Sequence, residues 1–219
     1  MIDARAPVAQ WIEQPPPKGQ VGRSIRLRGA RLMTNIRGRE TVAFSLRKAR
    51  LDDAPVLDRL IGESVRGLSR GDYTDAQIEA ALGTAFGLDS ELIRDGTYFV
   101  AEIATDIVAC GGWSRRKTLF GGDQQAGRES ELLDPARDSA RIRAFFVRPN
   151  RARGGIGRAL IARCESEALA CGFRSVELMA TLPGHRLYRA FGYVGDARVE
   201  YSLPGGVMIE FIPMKKDLV

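Results

Sequence analysis

The chain has little of what would tie it to a membrane, a metal or an oxidising compartment. Its 219 residues contain no apolar run near the roughly 20 residues that span a bilayer. The N-terminus lacks the apolar centre of a secretory signal. Cys110, Cys164 and Cys171 are odd in number and share no metal-ligand spacing, so reduced thiols in a cytoplasmic protein are expected, with no bound metal. His185 is the only histidine. A lone imidazole is read as structural or solvent-facing before it is read as catalytic. No Gly-Lys-Ser/Thr sequence occurs, which excludes the nucleotide-binding P-loop, and no internal repeat or low-complexity segment is present.

A basic excess is present, and its position decides what it means. The net charge is +6. Residues 1–41 hold Arg5, Lys18, Arg23, Arg26, Arg28, Arg31, Arg37 and Arg39 against Asp3, Glu13 and Glu40, so nearly all of that excess lies there. Residues 42–219 are close to neutral, and no nucleic-acid surface is expected on them. The leader itself, residues 1–41, has no sustained period and is broken by Pro15, Pro16 and Pro17, so it is expected to be disordered. Its segment Pro7-Val-Ala-Gln-Trp-Ile-Glu-Gln14, with Lys18 to Val21, is similar to the peptide obtained when a transfer-RNA gene is read as protein. The authentic start is therefore expected at Met33, with residues 1–32 untranslated; the competing reading, an Arg-rich targeting leader or basic arm, is weakened by the three prolines.

Residues 42–219 read as a single domain. Val42 to Lys48 alternates apolar and polar residues, as a half-buried strand does. Asp52 and Asp53 are placed to cap a helix whose Val56, Leu57, Leu60, Ile61 and Val65 recur at helical spacing, with Pro55 tolerated in its first turn. A loop over Gly67–Tyr73, a helix after Thr74 and a short one around Asp89–Arg94 follow. Thr97–Ile103 and Ile107–Trp113 form a hairpin across Ala104-Thr-Asp106. Gly111 and Gly112 weaken the second strand and mark a bulge or the close approach of a ligand. The polar stretch 117–138 is a loop long enough to be either mobile or part of a binding site.

The most informative stretch runs from Arg141 to Leu160. A strand, Ile142–Val147, leads into a turn dense in Arg and Gly and then into a helix. Ile156, Leu160, Ile161, Cys164, Ala168 and Cys171 share one stripe of that helix, which stops at Gly172. Unpaired N–H groups, a helix dipole and guanidinium groups around one concavity suit a diphosphate. The dinucleotide fingerprint is not met, because Gly155-Ile-Gly157 continues Arg-Ala-Leu and lacks the third glycine. A strand at Ser175–Ala180, a short helix at Arg186–Phe191 closed by Gly192, and strands around Tyr193–Tyr201 and Val207–Met214, joined at Pro204–Gly206, complete the domain.

This order of elements over residues 44–214 resembles the GNAT superfamily of N-acetyltransferases. Two motifs carry the resemblance: Arg/Gln-x-x-Gly-x-Gly/Ala, matched at Gly155 and Gly157, and Tyr-x-x-Phe/Leu-Gly-Phe/Tyr, matched at Tyr188, Phe191, Gly192 and Tyr193. Two positions depart from it. Ala152 stands at the Arg/Gln position, flanked by Arg151 and Arg153, and Thr181 stands where an Asn is frequent.

The resemblance implies an α+β fold, a mixed, mostly antiparallel central sheet flanked by helices. It implies acetyl-CoA as co-substrate and transfer of its acetyl group to a primary amine by direct attack in a ternary complex. The diphosphate would sit on the N–H groups of Arg153, Gly154, Gly155, Ile156, Gly157 and Arg158. Pantetheine would pair with the backbone of Phe145, Phe146 and Val147, where a bulge would free one N–H for the thioester carbonyl. Tyr188 would protonate the leaving thiolate. The alternative is a non-catalytic CoA-binding sensor or interaction module of the same fold. Homodimers are common among such proteins, and one is carried as an expectation.

Other residues have readings without a fixed role. Glu177, on the strand after the helix, and Glu63 and Asp72, near the expected acceptor side, are read as ordinary surface or paired acids before any is read as a general base. Trp113 is a pocket or core residue, and Arg115-Arg116-Lys117 a solvated strand end or a contact for the 3′-phosphate. Arg66, Arg70 and Tyr73 are placed toward the acceptor by their loop.

Overall fold

A computed structural model of the protein describes residues 43–218. The leader, the start expected at Met33 and the beginning of the first strand at Val42 lie outside the described residues. In chain order the elements are β1 (Ser45–Lys48), α1 (Ala54–Leu68), α2 (Asp75–Ala81), α3 (Ser90–Arg94), β2 (Tyr98–Ile103), β3 (Asp106–Ser114), β4 (Ala140–Val147), α4 (Ile156–Ala170), β5 (Ser175–Thr181), α5 (His185–Arg189), β6 (Val199–Ser202) and β7 (Met208–Asp217).

The strands form one sheet in the order β1-β2-β3-β4-β5-β7-β6. Every neighbouring pair is antiparallel except β4 with β5. The fold is therefore α+β, as expected. Both faces are covered, which explains why β3 reads as a nearly continuous buried run. On one face α4 packs Ile156, Leu160, Ile161 and Cys164 against Trp113, Ile142 and Leu178. On the other, Leu57, Leu60, Ile61 and Val65 of α1 pack with Ile78, Leu92, Tyr98 and Phe211. No helix among the described residues is long and apolar enough to cross a membrane.

Several local expectations change. Cys171 is exposed at the end of α4, while Cys164 and Ala168 are buried, so the helix's apolar stripe stops one turn early. The Asp53 carboxylate does not cap α1: it takes two hydrogen bonds from Arg47 and one from the Arg50 N–H. Of the strand expected over Tyr193–Tyr201, only Val199–Ser202 forms, with Val194 bridging to Lys215 by itself.

The 117–138 loop is strapped to the body by charge. Arg128 bonds the fully buried Asp89 at 2.7 Å and reaches Glu91, Arg116 grips Asp95 at 2.7 Å, and Arg143 lies 2.7 Å from the other Asp89 oxygen. A carboxylate as buried as Asp89 is tolerable only with such compensation.

Candidate functional site

The site is built around a gap in the sheet. The parallel pairing of β4 with β5 covers only Ala140 with Val176 and Arg141 with Glu177. Beyond that, β5 stays paired to β7 along its whole length while β4 parts from it. From Ile142 to Val147, β4 has no strand partner on that side among the described residues. An ion pair of Arg141 with Glu177 closes the narrow end.

At the open end β4 is bulged. Arg143 pairs with Gly112 and Phe146 with Cys110, so two steps on β3 match three on β4. The extra residue is accommodated at Ala144, whose φ of +55° lies in the left-handed region. For a residue with a Cβ this costs about 1 kcal/mol. The two adjacent glycines now have their explanation, and it is not a ligand. A Cβ on Gly111 would stand 2.9 Å from the Phe145 ring, and one on Gly112 would stand 2.7 Å from Tyr98 Cδ2. They make room for rings.

Phe145 and Phe146 turn to opposite faces of the sheet, each half-buried. The Val147 N–H is not free: it donates to the hydroxyl of buried Ser64 on α1 at 3.1 Å. Sequence reasoning missed Ser64, because nothing in α1 alone points to a contact so distant along the chain.

The turn after β4 delivers unpaired amides. Arg153 has φ +65° and Gly155, the N-cap of α4, φ +85°. No side chain caps α4, and the first helical bond runs from the Ala159 N–H to the Gly155 carbonyl. Among the described residues no acceptor meets the backbone N–H groups of Arg153 through Arg158. Their partial positive charge, with the helix dipole behind it, faces solvent. Space above Gly155 is open, whereas a Cβ on Gly157 would come within 3.2 Å of Leu187, so that glycine lets α5 approach α4. Arg158 lies over the Phe191 ring at 5.3 Å.

Tyr188, on α5, meets this region from the β5 side. Its ring stands edge-on to Phe145 at 6.3 Å and to Tyr193 at 5.6 Å. Burial holds its phenol well above the usual tyrosine range, so the hydroxyl stays protonated at neutral pH. The bulge, the open strand edge, the bare helix start and a protonated phenol thus gather at one end of the sheet.

Other candidates fall away from it. Trp113 is a core residue packed on Phe173. Tyr73 is a clamp: its hydroxyl donates to the Glu210 carbonyl at 2.6 Å and accepts from the Leu182 N–H at 3.0 Å, and burial pushes it up to about 12. His185 Nε2 lies 3.1 Å from both the Gly195 carbonyl and Asp196. Glu63 pairs with Arg148 at 3.5 Å, and Arg116 and Lys117 are taken up by Asp95 and Glu131. Asp72 lies exposed in the loop after α1.

Arg66 and Arg70 do line a cavity of about 550 Å³, with Glu63, Arg148 and Asn150, although each already faces an acid, Glu79 and Asp75 respectively. Neither Tyr188 nor the 153–158 turn borders it. Among the described residues no group of three or more His, Cys, Asp or Glu is placed to hold a metal.

Comparison with known proteins finds the same fold in solved structures. The chain is similar in fold to a GCN5-related N-acetyltransferase from Rhodopseudomonas palustris, with 22% identity, TM-score 0.59, and coverage of 79% of this chain and 94% of that one. It is also similar to the PaiA N-acetyltransferase from Thermoplasma acidophilum in complex with coenzyme A (13% identity, TM-score 0.54, coverage 80% and 98%). YncA from Salmonella typhimurium, solved with its cofactor acetyl-CoA, gives 16% identity, TM-score 0.53, and coverage of 80% and 94%. No curated protein sequence matches. Residues 63–193, more than half of the chain, match the sequence profile of the Acetyltransferase (GNAT) family. The chain belongs to the GNAT family of acetyltransferases.

Proposed function

We propose that the protein moves the acetyl group of acetyl-CoA to a primary amine within a ternary complex. The observation that carries this reading is the meeting, at the gap between β4 and β5, of a bulged strand edge, the unpaired amides of residues 153–158 and the protonated Tyr188. The solved relatives bound to CoA and acetyl-CoA support the choice of donor.

In this reading the diphosphate lies on the N–H groups of residues 153–158, with Arg153 and Arg158 adding charge. Pantetheine extends along Phe145–Val147 as an added strand. A backbone N–H released by the bulge hydrogen-bonds the thioester oxygen and stabilises it as it becomes an oxyanion. The amine attacks the carbonyl carbon, a C–N bond forms and the C–S bond breaks. Tyr188 gives its proton to the departing thiolate. The ammonium formed by attack loses its surplus proton to water, and the Tyr188 phenolate regains a proton from water, which returns the site to its starting state.

Thiol release from acetyl-CoA, followed with a panel of primary amines, tests the assignment. Amine-dependent release is expected. Binding of CoA without release from any amine would favour a CoA-binding module and end the catalytic reading.

A further inference from the structure

The bulge in β4 is not held by β4 alone. Tyr98 lies on β2, two strands away, and is fully buried. It is paired with Gly112, and Gly112 with Arg143, so the three residues lie in one row across the sheet. Because Gly112 has no side chain, the Tyr98 ring crosses β3 over it, and its hydroxyl donates to the Ala144 carbonyl at 3.1 Å. The same hydroxyl meets the Cys110 thiol, and burial raises both groups far above their usual ranges, so neither ionises near neutrality. On the next residue, the Phe145 ring fills the space that Gly111 leaves open and reaches Tyr188. Ala144 is thus kept in a left-handed conformation by a neighbour 46 positions away.

We infer that Tyr98 is a positioning residue: by holding the Ala144 carbonyl it fixes the β4 bulge, and so aims a backbone N–H of the Phe145–Phe146 step at the acyl carbonyl of the donor. The inference rests on the acetyl-CoA reading above. Tyr98 touches neither donor nor acceptor in this account. A plain packing role would ask only for its ring, and the ring would pack equally well without the oxygen.

The test is the carbon-13 signal of [1-¹³C]acetyl-CoA bound to the full-length chain, recorded for the wild type and for Tyr98→Phe, with affinities for acetyl-CoA and CoA measured beside it. In the wild type the bound carbonyl is expected to move downfield of free acetyl-CoA, as hydrogen bonding polarises it. In Tyr98→Phe it should return toward the free position, and the preference for acetyl-CoA over CoA should fall about fivefold, the value of one neutral hydrogen bond. CoA affinity itself should be unchanged.

A second substitution separates positioning from any other role of the phenol. Glycine adopts a positive φ without help, so Tyr98→Phe with Ala144→Gly should restore the wild-type signal. The double variant also serves if Tyr98→Phe alone does not fold. An unshifted signal and unchanged preference in Tyr98→Phe would overturn the inference, and so would a folded double variant that keeps the free-like signal. A wild type that binds no acetyl-CoA, or binds it with the carbonyl at its free position, would remove the functional reading and this inference with it.

Discussion

The helices α2 and α4 begin in opposite ways. At α2 the Thr74 hydroxyl accepts from the Gln77 N–H, and the Gln77 side chain answers by accepting from the Thr74 N–H, so the helix supplies its own caps. At α4 the cap is a left-handed glycine with no side chain, no acid stands in the first turn, and the amides of residues 153–158 have no acceptor. Arginines surround this second start: Arg151, Arg153 and Arg158. One terminus is finished by the protein and contributes stability. The other is left uncapped by the protein's own side chains, and it is where the proposed diphosphate would bind.

Predictions follow from pressing on that difference. The largest effect is expected where the bare terminus is supposed to aim its ligand. Tyr188→Phe should lower turnover about 10²-fold or more, with CoA affinity unchanged. Equal turnover would reduce Tyr188 to packing for Phe145 and Tyr193. Next, Gly155→Asp should make α4 resemble α2. The open space above Gly155 accepts the side chain, and Asp tolerates a positive φ better than most residues. Its carboxylate would compete with a diphosphate and weaken CoA binding about tenfold or more, while the positive φ of 85° would itself cost about 1 kcal/mol of stability. The converse change, Thr74→Ala, should cost about 1 kcal/mol of stability and leave CoA affinity alone. Calorimetric titration and thermal melts of the two variants form the pair; loss of CoA binding in Thr74→Ala would break the contrast.

Both helix starts were legible in the sequence, because capping is local chemistry. Thr74, Gly155, Gly157 and Tyr188 announce themselves within a few residues. The rest was not legible, for reasons of distance. Nothing near Ala144 says that it takes a left-handed conformation, since the hydroxyl that holds it comes from Tyr98 on β2. Ser64, which occupies the Val147 N–H, lies in a helix whose pattern shows only which face is buried. Asp53 had the position of a cap, but Arg47 binds both of its oxygens. The 117–138 stretch reads as a loop either mobile or part of a binding site until Arg128 and Arg116 are seen to fasten it to Asp89, Glu91 and Asp95.

A smaller, pH-dependent effect bears on those fastenings. Arg47 beside Asp53, and Arg116 beside Asp95, hold these carboxylates below the ordinary 3.8. Each therefore contributes stability that is complete above about pH 4 and is lost as pH falls through the lower folded value. Asp95→Asn should flatten the acid side of the stability curve below pH 4, while melts at neutral pH show only the loss of its pair. An unchanged acid slope would mean that Arg116 does not hold Asp95 in solution.

The account turns on the start of α4 as a diphosphate cradle. Titrating the protein with coenzyme A and with pantetheine, which lacks the diphosphate and nucleotide, measures that claim directly. The account predicts that coenzyme A binds about 100-fold tighter or more, and that Gly155→Asp removes most of the difference. Equal affinity for the two, or no uptake of coenzyme A at all, would contradict it.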